Sequence, residues 1–559
     1  MRMFASQTGR QSTQPPAPSS RTVLSIGLAV AFFLLLPRLG FPDSLGKYLW
    51  AEDATIFIEQ ARHLGIASLW TPYAGYLHIY QRISAWLANT MPLRDQAIFF
   101  FCSWLVAYGI LIATVIRQAL ALNVRPLYIV LLIFLISGQP NGEVFFSLTN
   151  VQWLLGTALT LYVINDRTER PHPADFLVIA LLGLTGPFSL LMAPFVLLRF
   201  IRRKMTMSTK ALFLLLLVTA AIQCAFLLGS PRIQTGSAVS APGIVPTILT
   251  VVSDLIRVAL FKENPFVRGL GLLFWILLGG SIFIGFKDMS LRSSRNFHTA
   301  LLFLVVALYQ LVVTLVLLSR TGWPLSIASS RYTWLPYSLI FFSAILLLPN
   351  LGRAGFLLVA GPIVLCIAQM HPLYRKELQF SSYVDLARSV TVDIPINPSG
   401  GFLVPNAPAG TLEDTWHISS TQRDKTDNAV SRYEMDLTRF VSSDSSLSLE
   451  NKILNIDSTK ENSYIQSIDS IKCKDSKDVG LIVQFTHDSK GIITLSWSTD
   501  DQYVEDDSLS RFYPSGEGNM EFAFPNSAAH RSIRLSFPDR IPHIEIQSVS
   551  IYCLGHRGF

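Results

Sequence analysis

Hydrophobic positions fall into two regimes along the chain. Up to residue 370 they form long apolar runs, near 22–37, 97–116, 124–138, 148–164, 175–186, 187–201, 211–229, 269–286, 298–318, 333–348 and 354–370. From about 479 onward they alternate with polar residues in short stretches, 480–485, 491–497, 520–524, 532–537 and 543–552, separated by turn residues. The long runs predict about eleven transmembrane helices, some of them short for a hydrocarbon core of ~30 Å. The alternating stretches predict the strands of a soluble β-sandwich, jelly-roll-like in its closing strands.

The division of domains follows from this. Residues 1–21 are rich in Ser, Gln and Pro and predict a disordered cytoplasmic tail. Residues 22–370 form a polytopic α-helical membrane domain, and 371–559 an extracytoplasmic β domain. The first apolar run is followed by Pro37-Arg38-Leu39 rather than by a small-x-small cleavage site, so it reads as a retained helix. Residues 411–478 are rich in Ser, Asp and Lys and yield no assignment.

One stretch decides the topology. As a single helix, 175–201 would put Arg199, Arg202, Arg203 and Lys204 outside; broken at Thr185-Gly186-Pro187, it puts them inside. With that break and the N-terminus inside, 16 of the 27 basic residues before position 371 fall in inner segments, as the positive-inside rule requires. Eleven crossings then leave the β domain outside. The arms of the broken hairpin are too short to span, so its tip ends at membrane depth. Irregular backbone there belongs against protein or a water-filled cavity; a cavity opening outward and a plain kink both fit.

Charge sharpens the picture. Residues 1–370 carry 27 Lys+Arg against 12 Asp+Glu, and 371–559 carry 18 against 26, so the overall +7 is arginine flanking membrane helices and no nucleic-acid signature. Cys102, Cys224 and Cys366 lie in apolar runs as packing residues. Cys473 and Cys553 lie in strand-like segments and, outside the cytoplasm, are a candidate disulfide. No cysteine or histidine cluster has zinc spacing.

Few acids precede residue 371, and they gather on the outer side. Glu52-Asp53 follow the first helix and enter a first outer loop whose apolar spacing, Ile56, Phe57, Ala61, Leu64 and then Tyr76, Tyr80, Ile83, Trp86, predicts two helices lying on the membrane surface. The acid pair is placed to cap the first of them. Glu143, in the second outer loop, is the only charge between Arg125 and Asp166 and precedes Asn150 and Gln152. Paired across a cavity with Asp53, it would orient an acceptor or hold a divalent cation such as Mg or Mn. Later outer segments supply Lys262, Arg320, Arg331 and Tyr332, and 247–261 has the spacing of a further surface helix. Arginine binds phosphate through a planar fork.

Taken together, these features resemble the GT-C superfamily of integral membrane glycosyltransferases, over about residues 1–370, and the layout is similar to that of bacterial O-antigen glucosyltransferases. The resemblance rests on Glu52-Asp53, the two surface helices, Glu143, and Arg331-Tyr332 before a late helix. It implies that Asp53, with Glu52 beside it and Glu143 as second acid, is the general base or acceptor-orienting group. It also implies that Arg331, Tyr332, Lys262 and Arg320 hold the donor phosphate, and that His78, Tyr76, Asn150 and Gln152 line the donor and acceptor pocket. The implied donor is a polyprenyl-phosphate sugar, the acceptor an envelope glycan or lipid-linked glycan, and the location a bacterial inner membrane. A transporter or flippase of lipid-linked saccharide is the alternative; it predicts ionisable residues near the bilayer midplane, where these runs are nearly charge-free. In the β domain, Trp416, Trp497, Tyr503 and Tyr513 are candidate sugar-stacking or core residues, and the acidic loops 500–501 and 505–507 read as solvated loops or calcium ligands.

Overall fold

The computed structural model describes residues 19–39, 49–50, 52–164, 171–202, 206–229, 265–319, 330–370, 373, 394–396, 401–403, 429–442, 447–450, 453–456, 463–467, 478–487, 491–498, 508–513, 516–525, 532–537 and 544–554. Each apolar run forms a helix there. Six helical segments are long and apolar enough to cross a membrane: Ser20–Leu39, Leu93–Ala121, Met207–Gly229, Arg268–Lys287, Arg295–Thr314 and Arg331–Gly352. Five shorter apolar helices accompany them: Pro126–Ser137, Val151–Ile164, Pro173–Gly183, Phe188–Ile201 and Gly355–Ala368. This is a multi-pass membrane protein.

The bundle is built around two helices buried on every side, Val151–Ile164 and Trp334–Leu347. Peripheral helices instead expose large apolar side chains, among them Leu177, Leu214, Phe283 and Leu308, as lipid-facing surfaces must. Small residues let the inner helices approach closely. A Cβ added at Gly156 would meet the Phe188 ring at 2.4 Å, so glycine is what seats the Phe188 helix against the Val151–Ile164 helix.

The first outer loop is helical in pieces. A π-helical turn, Asp53–Ile58, runs into the Glu59–Leu64 helix and a 3₁₀ turn, Gly65–Trp70; after a tight turn comes the Ile79–Ala88 helix. Of the residues whose spacing predicted these helices, Phe57 and Ala61 are buried in the protein, while Ile56, Leu64, Tyr76, Tyr80, Ile83 and Trp86 are half-buried. The large apolar residues left open are Ile66, Trp70 and Leu87. The periodicity identified the helices, but a stripe packed on neighbouring protein and a stripe packed on lipid have the same spacing.

The C-terminal region forms antiparallel sheets. One runs in the order Ser508–Tyr513, Gly491–Ser498, Ser532–Phe537, Ser463–Ser467, Phe440–Ser442. The other runs Gly516–Pro525, Asp478–His487, Ile544–Leu554, Ile453–Ile456, Leu447–Glu450, with Ala429–Glu434 also paired to Ile544–Leu554. Alternate residues are buried, Leu481, Val483 and Phe485 in one strand. In the last strand the buried set changes parity, from Ile544 and Ile546 to Val549 and Ile551. A register shift between Ile546 and Ser548 accounts for this: the extra residue rotates the rest of the strand by half a pleat. A separate pair, Ile394–Ile396 with Gly401–Leu403, places its second strand beside the Asp53–Ile58 turn.

Candidate active site

The two adjacent acids point to different places. Asp53 is 1% exposed and its carboxylate is filled. Oδ2 accepts from the backbone N–H of Trp50 and of Leu148, both at 3.2 Å. Oδ1 accepts from the backbone N–H and the hydroxyl of Thr149, both at 2.5 Å. The carboxylate therefore serves the approach to the Val151–Ile164 helix, where backbone N–H groups lack intrahelical acceptors, rather than capping its own helix. Burial raises the Asp53 pKa to about 7, against the lowering effect of the Thr149 bonds. Both oxygens of Asp53, the expected base or acceptor-orienting group, are thus already engaged. The residue is a clasp between the first and second outer loops.

Other side chains fix the same second loop. Gln81 Nε2 donates to Thr149 O at 3.1 Å, Trp104 Nε1 to Val144 O at 2.8 Å, and Asn150 Nδ2 to Glu143 O at 2.8 Å. Arg38, fully buried, donates to Ser137 O at 3.0 Å and Gln139 O at 2.7 Å and lies over the Phe145 ring. Asn150, expected in the pocket, thus spends its amide nitrogen on the loop backbone.

Glu52 faces the other way. Its Oε1 accepts from Tyr73 Oη at 3.0 Å, while Oε2 is buried with no hydrogen-bond partner. The turn that delivers Tyr73 and Tyr76 is a two-residue hairpin: Tyr73 N donates to Tyr76 O at 3.0 Å and Tyr76 N to Tyr73 O at 3.2 Å, across Ala74 and Gly75 at φ 52° and 87°. Two left-handed residues in succession are what such a tight turn requires. Burial, reinforced for Tyr73 by Glu52, pushes both phenols above their ordinary pKa, so they stay protonated donors.

Arg331 enters from a 3₁₀ turn, Ser330–Thr333, beside the Gly142–Val144 turn of the second loop. Asn141 Nδ2 donates to Thr333 Oγ1 at 3.1 Å and Gln139 Nε2 to Ser338 Oγ at 2.8 Å, which pins the two segments together. The Arg331 guanidinium lies in electrostatic reach of Glu143, Glu52 and Tyr73 and 5.5 Å from the Tyr332 ring centroid. Tyr332 in turn meets Trp153 edge-on at 5.2 Å, and Trp153 meets Phe188 at 5.3 Å.

His78 is buried among rings, stacked on Tyr76 at 4.8 Å, with Tyr73 at 5.4 Å and Phe57 at 5.8 Å. Its Nδ1 lies 3.3 Å from Tyr76 O. Burial, then the charge of Arg82, pushes its pKa down to about 3, so the imidazole is neutral at physiological pH. The expected break is present beside it, between the Pro173–Gly183 and Phe188–Arg202 helices. Gly186 N donates to Leu77 O at 2.9 Å and Ile79 N to Leu184 O at 3.1 Å, so the broken segment pairs with the backbone that carries His78. Gly186 has φ 80°, and a Cβ there would meet Gln152 Oε1 at 2.8 Å. Gln152 is therefore at the break and beside His78.

Of the predicted residues, Glu52, Glu143, Arg331, Tyr332, Tyr76, His78 and Gln152 are gathered by these contacts; Asp53 and Asn150 serve the scaffold. Lys262, Arg320, Cys473, Trp416, Tyr503 and the 247–261 segment lie outside the described residues, and Cys553 and Tyr513 are described by strand backbone alone, as is Trp497. A divalent cation between Asp53 and Glu143 does not fit, because both Asp53 oxygens are filled by N–H and O–H donors; among the described residues no group of three His, Cys, Asp or Glu converges. Sequence reasoning missed Tyr73, Trp153 and Arg82. Arg82 carried a usable signal: it is the one cation of the Ile79–Ala88 helix and lies one turn after His78.

Comparison with known proteins adds little to this geometry. No family model matches the chain, and no curated protein matches it. Among solved structures it is similar to a low-affinity xylan-binding module, CBM86, from the xylanolytic gut symbiont Roseburia intestinalis (13% identity, 22% of this chain and 96% of that one, TM-score 0.18). It is also similar to the module BiXyn10A CBM1 in its apo form (14% identity, 24% and 92%, TM-score 0.17). A third is the enzymatically active domain of tailspike protein 4 of bacteriophage CBA120 (12% identity, 22% and 19%, TM-score 0.15). Likenesses this small carry no functional argument.

Proposed function

We propose that this protein is a membrane glycosyltransferase of GT-C type. It moves a sugar from a polyprenyl-phosphate donor to an envelope glycan or lipid-linked acceptor at the outer face of a bacterial inner membrane. About eleven crossings put the N-terminus in the cytoplasm and the β domain, read as a jelly-roll-like sandwich, outside. The observation that carries this reading is Glu52. Its Oε2 is an unpartnered carboxylate oxygen beside two protonated tyrosines, in electrostatic reach of an arginine and with a neutral histidine stacked on one of the tyrosines.

In the reaction proposed, the acceptor hydroxyl attacks the anomeric carbon and gives its proton to Glu52 Oε2, while the bond to the donor phosphate breaks and the phosphate keeps the electron pair. Tyr73 holds the other oxygen of Glu52 in place, so Oε2 is the one presented. Positive charge meets the departing phosphate, and Arg331, with Glu143 and Glu52 tempering it, is at hand for this. Direct attack inverts the anomeric centre.

The test is transfer from a polyprenyl-phosphate sugar by the purified protein in vitro. A positioned base contributes on the order of 100-fold or more, so Glu52→Gln should lose at least that, while Asp53→Asn should keep measurable turnover. Full activity in Glu52→Gln, or label crossing liposomes with no new glycosidic bond, refutes the reading; the second result points to a flippase.

A further inference from the structure

Three arginines border this site, and they differ in how their charge is met. Arg38 is buried and satisfied by two carbonyl oxygens. Arg331 is half-buried, in electrostatic reach of Glu143 and Glu52 and without an ion pair to either among the described residues. Arg82 is 0% exposed, and Nε, Nη1 and Nη2 are all buried with no acceptor. No ion pair joins Arg82 to an acid among the described residues. The face of the Phe57 ring lies 5.0 Å from its guanidinium carbon, and the Tyr73 phenol, already donating to Glu52, is in electrostatic reach.

Burial pushes the Arg82 pKa down to about 10, which leaves it charged at neutral pH. A buried cation with no counter-charge costs several kcal/mol, and a single aromatic face returns only about 0.5–2 kcal/mol of that. The Ile79–Ala88 helix already anchors through Gln81 to Thr149 and through buried Ala85 and Ala88. A charge held at a membrane-side site against that cost marks a ligand of opposite charge.

We propose that Arg82 is a phosphate-binding residue of this site, a guanidinium that, in addition to Arg331, receives the oxyanion of a phosphate ester. Tyr73, which both arginines reach, is where the two charges meet. The fork of a guanidinium matches two phosphate oxygens at once. The choice of phosphate over other anions rests on the proposed donor, whose one anionic group it is.

The experiment uses the full-length protein in detergent micelles, titrated separately with a polyprenyl phosphate and with inorganic phosphate. Dissociation constants come from tryptophan fluorescence and unfolding midpoints from thermal melts. Arg82→Met should weaken binding of the phosphate probe at least tenfold, and Arg82→Lys should fall between. Without phosphate, Arg82→Met should melt no lower than wild type, because it removes an unmet charge; with phosphate, only wild type and Arg82→Lys should gain. Binding of the lipid probe but not of inorganic phosphate identifies a lipid phosphate, and the reverse a soluble one. The proposal is overturned if Arg82→Met binds as tightly as wild type or if wild type binds neither probe. It is also overturned if Arg82→Met melts far below wild type without phosphate, which would make Arg82 a structural residue. Arg82-dependent binding in a protein that never transfers sugar would leave this site standing and refute the glycosyltransferase reading alone.

Discussion

Asp53 Oδ1 accepts two hydrogen bonds from Thr149, one from its backbone N–H and one from its hydroxyl, each 2.5 Å long. Residues 96 positions apart are thereby locked at the point where the second outer loop enters the central Val151–Ile164 helix. Glu52, one residue earlier, is left facing the tyrosines and Arg331. The lock and the presented acid are consecutive residues of one π-helical entry, so holding the first orients the second.

The lock is pH-sensitive in a defined direction. Burial raises Asp53 from the ordinary aspartate value of 3.8 to about 7 in the folded protein. A raised acid pKa means that the folded state binds the proton more tightly than the unfolded one. The stability contribution is therefore complete below about pH 4 and is lost as pH rises through about 7. The full effect is of the order of a few kcal/mol, at 1.36 kcal/mol per unit. Thermal melts of the detergent-solubilised protein should show a midpoint falling between pH 5 and pH 8. Asp53→Asn should flatten that fall, because its amide does not titrate. An unchanged pH slope in the variant would show that Asp53 does not titrate in this window.

Tyr73 tests the presented acid without removing it. Tyr73→Phe deletes the hydroxyl that donates to Glu52 Oε1 at 3.0 Å. A lost hydrogen bond to a charged acceptor is worth about 1.5–3 kcal/mol. If that energy is used to hold Glu52 in orientation, transfer should fall about 10- to 100-fold with a KM change under threefold, whereas Glu52→Gln should fall further. Equal activity in Tyr73→Phe and wild type would remove the tyrosine from the positioning of Glu52.

Much of this architecture was legible from residue pattern, and the failures have one cause. The helices, the break at Thr185-Gly186-Pro187 and the strands all follow from periodicity and from breakers whose effect is local. Which of Glu52 and Asp53 faces the cluster is not local. It depends on Leu148 and Thr149, which no spacing rule connects to residue 53. The amphipathic stripe at Phe57 and Ala61 likewise fixes a helix but not what covers it. Tyr73 reads as one more interfacial aromatic until the Ala74-Gly75 turn folds it back on Tyr76. Arg82 reads as a surface charge because exposure is the ordinary state of arginine.

Gly186 carries two independent demands. Its φ of 80° is left-handed, and a Cβ would stand 2.8 Å from Gln152 Oε1 and 3.3 Å from Phe188. Gly186→Ala should destabilise the protein by about 1–3 kcal/mol from backbone strain alone. It should also reduce transfer, because the same segment pairs with the Leu77-His78 backbone. Adding Gln152→Ala relieves the collision but not the φ, so the double variant should recover part of the midpoint and not all. Full recovery would mean that the strain was steric only; no loss in Gly186→Ala would mean that the break is not held in this conformation.

Gln223 closes the arrangement from inside an apolar helix. It lies within Met207–Gly229, fully buried, and its single amide makes three bonds: Oε1 accepts from Leu77 N at 2.8 Å, and Nε2 donates to Leu77 O at 3.2 Å and Gly186 O at 3.0 Å. One side chain therefore satisfies backbone groups of both the His78 segment and the break, at a depth where water offers little help. Gln223→Leu keeps the volume but leaves those backbone groups to find other partners, at about 1–3 kcal/mol for a buried orphan. Gln223→Glu is the sharper variant. An ionised carboxylate still accepts from Leu77 N but turns the two donor bonds into repulsion against Leu77 O and Gly186 O. The expected order of melting midpoints is wild type, then Gln223→Leu, then Gln223→Glu, with transfer activity falling in the same order because His78 and Gln152 lose their common support. If Gln223→Glu melts with wild type and turns over normally, the amide is not what holds the break to the first loop.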